Sequence, residues 1–547
     1  MSNAMDGSHP RPNVLIVGAG PTGLILAHEL LRRGVSCRMV EKRQGPSGAT
    51  RAFTLHSRTM EMFDHMGIAE RIEDLREICP GNKFHFRGLG AVEQSMPVLD
   101  FRRLANTQYN YYGKVNQSDL DQTLRSALAT KYSFYPEYGV ELAALREGDR
   151  GVHVDLVHAS PRKATETIAV DWVIGADGSQ STVRQQLGGE FRQAEHAQMT
   201  MSMVDVYLDG FRGEREWVNY YVSDKGFLLA TGLPGGKFRL YLAGDLEKLL
   251  QDNEPREAFQ KGLDYFETGA AIRAMDWSSS WVIRKIVGDV YRKGNVILCG
   301  DATHVHSPAG GQGMNACMQD AFNLGWKLAH VIRGYAQAGV LDTYATERRP
   351  IAEQVTDGAN RMHQILFNGE IAIADRYKLT QNPEWHDEAI YRISGLSHNY
   401  RHLYGDGQPG QAVGIPLPGD RAPDCVLEDA APRKRLYDAF RHPSFTLLMT
   451  PAAGADGNAD CERIYKAVTR RFGERVKPML LVDDQRRTCF DYDHTLYDPD
   501  RRVAAVYGSA GQMVLIRPDL YVGFRCGLAD ADAMLQHIST WLVSEVC

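Results

Sequence analysis

"VLIVGAGPTGLILAHEL", Val14 to Leu30, is an apolar run that breaks into glycines and then resumes with apolar residues at helical spacing. "NVLIV" reads as a short buried strand. Gly18, Gly20 and Gly23 follow it as G-x-G-x-x-G and open "LILAHELLRRG", a helix by its periodicity. Gly18 permits a tight turn, Gly20 lets the backbone approach a pyrophosphate, and Gly23 lets helix and strand pack closely. The helix N-terminus then offers its amides to phosphates. A second strand, "SCRMVEK", ends in Glu41, 23 residues beyond Gly18. An acid there suits the 2′-hydroxyl of an adenosine ribose, as in FAD or NAD, and disfavours a 2′-phosphate. A plain strand-to-helix turn would spell the glycines the same way, so the combination of strand, helix and acid carries the reading of a dinucleotide-binding unit.

Around this unit the chain runs to 547 residues, too long for one ordinary core, so two or three domains are expected. A hydrophobic content of 43 %, a charged content of 24 % and a net charge of −6 describe a soluble globular protein with no sign of nucleic-acid binding. "MSNAMDGSHPRP" has no signal-peptide core, and Ser2-Asn3-Ala4 reads as an expression scar. No run of eighteen apolar residues suggests a membrane span. Nine scattered cysteines without a C-x-x-C pair fit a reducing cytoplasm. "HVH" at His304 to His306 lacks a third ligand at helical spacing, so no metal is expected.

Two further segments narrow the cofactor. "DWVIGADGSQSTVRQQLG", residues 171 to 188, is a strand running into Gly175, Asp177 and Gly178, with a helix opened by Ser181 and carrying Arg184. "GNVILCGDATHVHSPAGGQGMNACMQDAFNLGWKLA", residues 294 to 329, gives a strand, Gly300-Asp301, a Pro/Gly-rich loop and a long helix from near Met314. That loop presents free amides and a positive helix end where negative charge could sit.

With the glycine fingerprint, the D-G motif and the G-D motif in this order, the chain resembles the class A FAD-dependent aromatic monooxygenases, the family of phenol hydroxylase, 4-hydroxybenzoate hydroxylase and the aromatic-polyketide hydroxylases. The likeness is strong over residues 12 to 360, "LDTYATERRP" at Leu341 to Pro350 included. The resemblance implies that Glu41 binds the adenosine ribose and that Arg51 of "TRAFTLHSRTMEMF" contacts the FAD phosphate or adenine side. It further implies that Gln117 helps hold the flavin, Asp177 contacts FAD and supports NAD(P)H use, and Asp301 binds the ribityl chain. Pro308, Gly311, Gly313, Met314 and Asn315 would lie beside the isoalloxazine, where the helix end stabilises negative charge on reduced flavin and serves catalysis. His304 reads as a core histidine bonded to a backbone carbonyl, and Phe322 and Trp326 as core against the sheet.

The fold expected is α/β: a Rossmann-like FAD-binding domain at 12–80, 112–190 and 285–360, and an inserted β-sheet substrate domain at 81–111 and 191–284. A helical and irregular connection at 361–414 leads to a C-terminal domain at 415–547. There "FTLLM", "VKPMLLVDD", "VAAVYG" and "QMVLIRPDLYVGFR" read as short strands among helices, resembling a thioredoxin-like domain without its disulfide chemistry. In the family route FAD is reduced by NAD(P)H, reacts with O2 to a C4a-hydroperoxide and hydroxylates a phenolic or polyketide-derived aromatic. No second glycine fingerprint follows, which fits a nicotinamide that visits a shared site and argues against a two-dinucleotide reductase. The expected partners are a small aromatic substrate, O2 and NAD(P)H, with a homo-oligomer left open. Tyr220, Tyr221, His85 and Arg239 are the candidates for a buried base able to deprotonate a phenol; of the two tyrosines, one faces a core or pocket and one faces away. A Baeyer–Villiger oxygenase on the same fold, or a flavin-fold binding protein without turnover, remains the alternative. A flavin halogenase is disfavoured because Trp277 and Trp281 do not form W-x-W-x-I-P.

Overall fold

In the computed structural model of the chain, the described residues are 13–48, 52–89, 98–148, 151–159, 164–189, 199–283, 286–305, 310–367, 371–404, 414–428, 434–452, 455–483, 495–508 and 510–544. Val14–Val17 lies at the centre of a six-stranded sheet, parallel to Trp172–Gly175 on one side and to Cys37–Glu41 on the other. Its alternating side chains feed two cores. Val14 and Ile16 pack with the helices Pro21–Leu31 and Gly313–Ile332, while Leu15 and Val17 pack with the antiparallel strands Val140–Gly148, Gly151–His158 and Thr165–Val170. Gly18 and Gly23 allow this close fit. A Cβ on Gly18 would meet the Ala176 carbonyl oxygen at 2.3 Å, and one on Gly23 the Gly18 carbonyl oxygen at 2.1 Å.

A second, seven-stranded sheet runs in the order Ala271–Ile283, Met199–Asp209, Phe238–Gly244, Gly226–Gly232, Val218–Ser223, Gly81–Phe86 and Val98–Asp100. One face carries Phe84, Met201, Tyr220, Phe227 and Tyr241 and is covered by Leu366 and Ile393 of the helices Asp342–Phe367 and Pro383–Ile393. The other carries Val204, Tyr221, Leu228 and Leu240 and packs on Phe259 and Leu263 of the helix Pro255–Tyr265.

The C-terminal sheet orders Thr495–Tyr497, Val476–Val482, Phe445–Thr450, Gln512–Ile516 and Val522–Gly527, the first three parallel and the last two antiparallel. "VAAVYG", expected among the strands, is instead the helix Arg502–Tyr507. The Asp498 carboxylate accepts the N–H groups of Arg502, Val503 and Ala504 at 2.8–3.1 Å and so satisfies its first turn, a signal that lies upstream of the apolar run itself. Trp326 also departs from expectation. It packs against Phe445 and Trp541 of the C-terminal unit, with ring centroids 5.5 and 5.7 Å away, whereas Phe322 does join the nucleotide-domain core.

The seam between the two units is ionic and buried. Glu347 accepts both terminal nitrogens of Arg517 at 2.7 and 2.8 Å and Lys327 Nζ at 2.7 Å, and all three side chains are fully buried. Asp519 closes the cluster on Arg517 at 2.6 Å and on Asn323 Nδ2 at 2.9 Å. No helix among the described residues is long and apolar enough to cross a membrane.

Candidate functional site: a cofactor cleft that shares a wall with an apolar pocket

The first strand delivers the chain to Gly20, where a Cβ would meet nothing within 4 Å, so this backbone faces open space. The space belongs to a cleft of about 510 Å³ lined by Gly20, Thr22, Gln117, Gly178, Asp301, Gly311, Gly313 and Met314. Glu41 ends the neighbouring strand. Its Oε2 accepts the Ala19 N–H at 3.1 Å and its Oε1 accepts the Arg43 N–H and Nε–H at 3.0 and 2.9 Å. Burial opposes its charge, yet these bonds from Arg43 and Ala19 hold the carboxyl below its ordinary range.

Asp177 Oδ2 accepts the N–H groups of Thr182 and Val183 at 2.7 and 3.1 Å, while Ser181 Oγ accepts Arg184 N–H, so the D-G motif caps its own helix. The other carboxylate oxygen of Asp177 is buried without a hydrogen-bond partner among the described residues. An acceptor left in that state beside the cleft suits a donor brought by a ligand. Gln117 Oε1 accepts Ala52 N–H at 3.3 Å, and Asp301, exposed at the cleft, accepts the Cys317 thiol at 3.2 Å. Open backbone at Gly20, the orphaned Asp177 oxygen and the N-terminus of the helix Gly313–Ile332 fit a dinucleotide.

At the far end of the cleft the chain turns through Gly310 and Gly311 with φ of +83° and +64°, conformations open to glycine. Three side chains clamp this turn. Thr54 Oγ1–H and Asn315 Nδ2–H each donate to the Gly311 carbonyl at 3.0 Å, and His56 Nε2 lies 3.1 and 3.2 Å from the carbonyls of Gly310 and Gly311. Burial drives the His56 imidazole down to about 4 against the opposing pull of those carbonyls, so it is neutral and donates through Nε2.

Beyond the clamp lies a second pocket. Phe53, Thr54, Tyr241 and Gly311 line both spaces, and Met201, Val218, Tyr220, Phe227, Leu229, Leu366 and Ile393 make the remainder largely apolar. Its few polar groups are held. The Tyr112 hydroxyl donates to Asn82, and burial keeps the Tyr220 and Tyr241 phenols protonated by raising both, Tyr241 to about 12.

Of the four candidates for a base, Tyr220 lines this pocket. His85 and Tyr221 stack on each other, 4.4 Å between centroids, around a separate depression on the other face of the sheet. Arg239 lines neither of the two joined spaces; it is fully buried and paired in two bonds with Asp205 at 2.7 and 2.8 Å. His304 is a core histidine, but Nε2 meets the Asp320 carboxylate at 2.6 Å, not a backbone carbonyl. Arg348 holds the other oxygen of Asp320, making a buried ionic chain that the sequence could not show. Arg51 and Pro308 lie outside the described residues. His56 and Thr54 were missed by the sequence reading. The available signal was their place in "TRAFTLHSRTMEMF", immediately before a helix whose N-cap position His56 occupies without capping it.

A family model for an FAD binding domain matches residues 11–359, and one for the C-terminal region of aromatic-ring hydroxylases matches residues 415–544. The chain is 40 % identical to pentachlorophenol 4-monooxygenase of Sphingobium chlorophenolicum, over 97 % of its length and 96 % of the relative. It is 32 % identical to 6-methylpretetramide 4-monooxygenase of Streptomyces rimosus, over 96 % and 93 %. Among solved structures it is similar to aklavinone-11 hydroxylase in complex with FAD and aklavinone, with a TM-score of 0.76, 25 % identity and coverage of 97 % and 99 %. The chain belongs to the family of FAD-dependent aromatic-ring hydroxylases, and it is an FAD-dependent monooxygenase.

Proposed function

We propose that the chain hydroxylates a phenol whose other substituents are mostly apolar, consuming NAD(P)H and O2. One oxygen atom enters the ring, the other leaves as water, and NAD(P)H is oxidised. The observation that carries this reading is the shared wall: a largely apolar pocket with a few polar groups opens onto the same glycine turn that ends the cofactor cleft. The name of the 40 % identical relative, pentachlorophenol 4-monooxygenase, points the same way.

In this reading Gly20 gives the pyrophosphate its approach, Glu41 takes the adenosine ribose, and Arg51 the phosphate or adenine side. Gln117, Asp177 and Asp301 hold the rest of FAD, and Pro308, Gly311, Gly313, Met314 and Asn315 border its ring. FAD supplies the two-electron chemistry and the activation of O2, which side chains cannot. The protein's part is to orient the phenol, exclude water and place the positive helix end beside developing negative charge. Phe227, Leu229, Leu366 and Ile393 supply the dry walls, and the Tyr220 and Tyr241 hydroxyls are the polar groups within reach of a substrate hydroxyl. The order of the C-terminal sheet, two parallel strands joined through a helix and then an antiparallel hairpin, supports a thioredoxin-like unit, whose role in this reading is structural or in assembly. The scattered cysteines favour a cytoplasmic location.

The test is a panel of alkyl- and halophenols against larger polycyclic aromatics. NAD(P)H oxidation stimulated by the phenols, with a hydroxylated product by mass, is the expected result. Stimulation by the polycyclic set alone would overturn the choice of substrate class.

A further inference from the structure

The seven-stranded sheet carries a second cavity on the face turned away from the apolar pocket. Strands Gly81–Phe86 and Val218–Ser223 pair in parallel, Phe84 beside Tyr220 and His85 beside Tyr221. Successive side chains of a strand point to opposite faces, so Phe84 and Tyr220 join the core on the pocket side while His85 and Tyr221 emerge behind it. Behind them lies an open depression with about 270 Å³ of free space, against about 30 Å³ in the apolar pocket as it stands. A cavity of about 150 Å³ holds a benzene molecule, so a substituted ring has room here without any rearrangement.

One wall of the depression is aromatic. The His85 and Tyr221 rings lie nearly parallel, 13° between planes, and the Phe266 ring stands 5.8 Å from that of Tyr221. His85 adds surface rather than charge: burial pulls its imidazole below the ordinary range, and its Nε2–H donates to Asn219 Oδ1 at 3.1 Å. Tyr221 is 7 % exposed, and its hydroxyl has no hydrogen-bond partner among the described residues. That hydroxyl stands at the Gly213 rim, where a Cβ would meet Oη at 2.8 Å. Burial pushes the phenol up to about 12, so at neutral pH it remains a donor.

Two cations rim the same space, and they differ. Arg87 is spent: it bonds the Tyr265 carbonyl, pairs with Glu267 at 3.0 Å and lies over the Tyr265 ring. Arg212 is held but unused. Its backbone N–H donates to the Thr268 carbonyl at 3.0 Å, and its stem lies across Gly269, where a Cβ would meet Cδ at 3.0 Å and Nε at 2.7 Å. The guanidinium, exposed at the rim, has neither an acceptor nor an ion-pair partner among the described residues. With Glu267 balanced by Arg87 and His85 neutral, the depression keeps one positive charge.

A guanidinium fork receives a carboxylate in two parallel bonds, and the tyrosine hydroxyl adds a third donor. An inorganic anion would leave the aromatic wall without use. We propose that this depression is a second small-molecule site, for a planar aromatic carboxylate whose ring lies against the His85, Tyr221 and Phe266 wall and whose oxygens take the Arg212 guanidinium and the Tyr221 hydroxyl. The site shares no lining residue with the cofactor cleft or the apolar pocket, so it can fill while a substrate occupies the latter. It stands apart from the choice of hydroxylated substrate.

The probe is benzoate, titrated into the FAD-loaded enzyme by calorimetry while the flavin absorbance is followed in parallel. The wild type should bind it saturably with a dissociation constant of about 1 mM or lower, and the flavin spectrum should not change. Arg212→Gln should raise that constant at least about tenfold, with turnover in the absence of benzoate as in the wild type. Tyr221→Phe keeps the ring and drops the hydroxyl, and should raise it by a smaller factor, about threefold to fivefold. Cyclohexanecarboxylate, which has the charge without the flat ring, and inorganic phosphate should each bind at least about fivefold more weakly than benzoate. Absence of saturable binding up to about 10 mM, or equal affinity in the wild type and Arg212→Gln, would overturn the proposal. Equal binding of phosphate or cyclohexanecarboxylate would overturn the aromatic class of ligand. A flavin spectral change that persists in Arg212→Gln would place benzoate in the apolar pocket and overturn the second site as well.

Discussion

Two buried polar clusters sit at either end of the same stretch of protein and are built from opposite materials. The clamp on the glycine turn uses neutral donors, His56, Thr54 and Asn315, on backbone carbonyls. The seam to the C-terminal unit uses full charges, Glu347, Lys327, Arg517 and Asp519, at 2.6–2.8 Å. A neutral hydrogen bond contributes about 1 kcal/mol and can be exchanged, whereas one member of a buried ion pair cannot leave without stranding the other at about 3–5 kcal/mol. Residues next to each other in sequence divide between the two. His56 reaches the turn, while Arg58, two residues on, donates to the Asp519 carbonyl at 2.6 Å. Bonds of the first kind exchange within thermal reach and those of the second do not, so the two clusters differ in how firmly they fix the segments they join.

The contrast is largest at Arg517. Arg517→Met leaves the Glu347 and Asp519 carboxylates buried with fewer cations, and should destabilise the protein by about 3–5 kcal/mol in a denaturant melt of the FAD-loaded enzyme. A cost of about 1 kcal/mol or less would put the seam in the same class as the clamp. Acid should find the seam as well. The Arg517 and Lys327 partners overcome burial and hold Glu347 at about 2, below its ordinary 4.5. A carboxylate depressed in the folded state contributes stability that is complete above pH 4.5 and drains away as pH falls toward 2. Melts between pH 7 and 5 should therefore show no loss from this group. Below pH 4.5 the wild type should lose stability more steeply than Glu347→Gln, and parallel slopes would refute the assignment.

A smaller effect is expected at the cofactor cleft. Asp301→Ala removes a carboxylate that lines it and should raise the FAD dissociation constant at least about tenfold, from a lost bond of about 1.5–3 kcal/mol, with little change in the melting of the seam. An unchanged dissociation constant would remove Asp301 from the site. Least of all should follow from Cys461→Ser in the C-terminal core, since no C-x-x-C pair is present and a thioredoxin-type reaction needs two nearby thiols. Turnover and NAD(P)H coupling should stay near normal. Their loss in a folded, flavin-loaded variant would give the C-terminal unit a chemical role.

Much of the nucleotide-domain frame was legible because local rules govern it. Alternation in "NVLIV", glycines at fixed offsets and an acid at a strand end are constraints between residues close in the chain, so they leave a spelling. "VAAVYG" failed the same test because its helix is set by Asp498 upstream, and Trp326 failed because its partners, Phe445 and Trp541, lie more than a hundred residues away. Periodicity marks that a residue is buried without saying against what.

What the sequence determined by itself was the dinucleotide-binding turn and the order of the motifs, since each depends on backbone conformations that few residues allow; the chemistry of the cofactor followed from the resemblance those motifs carry. Only the tertiary structure decided which of Tyr220 and Tyr221 faces the pocket, that Arg239 is spent on Asp205, and that His56 holds the turn at Gly310 and Gly311. These depend on contacts between segments up to about 250 residues apart, where neither composition nor spacing constrains the partner and packing alone selects it.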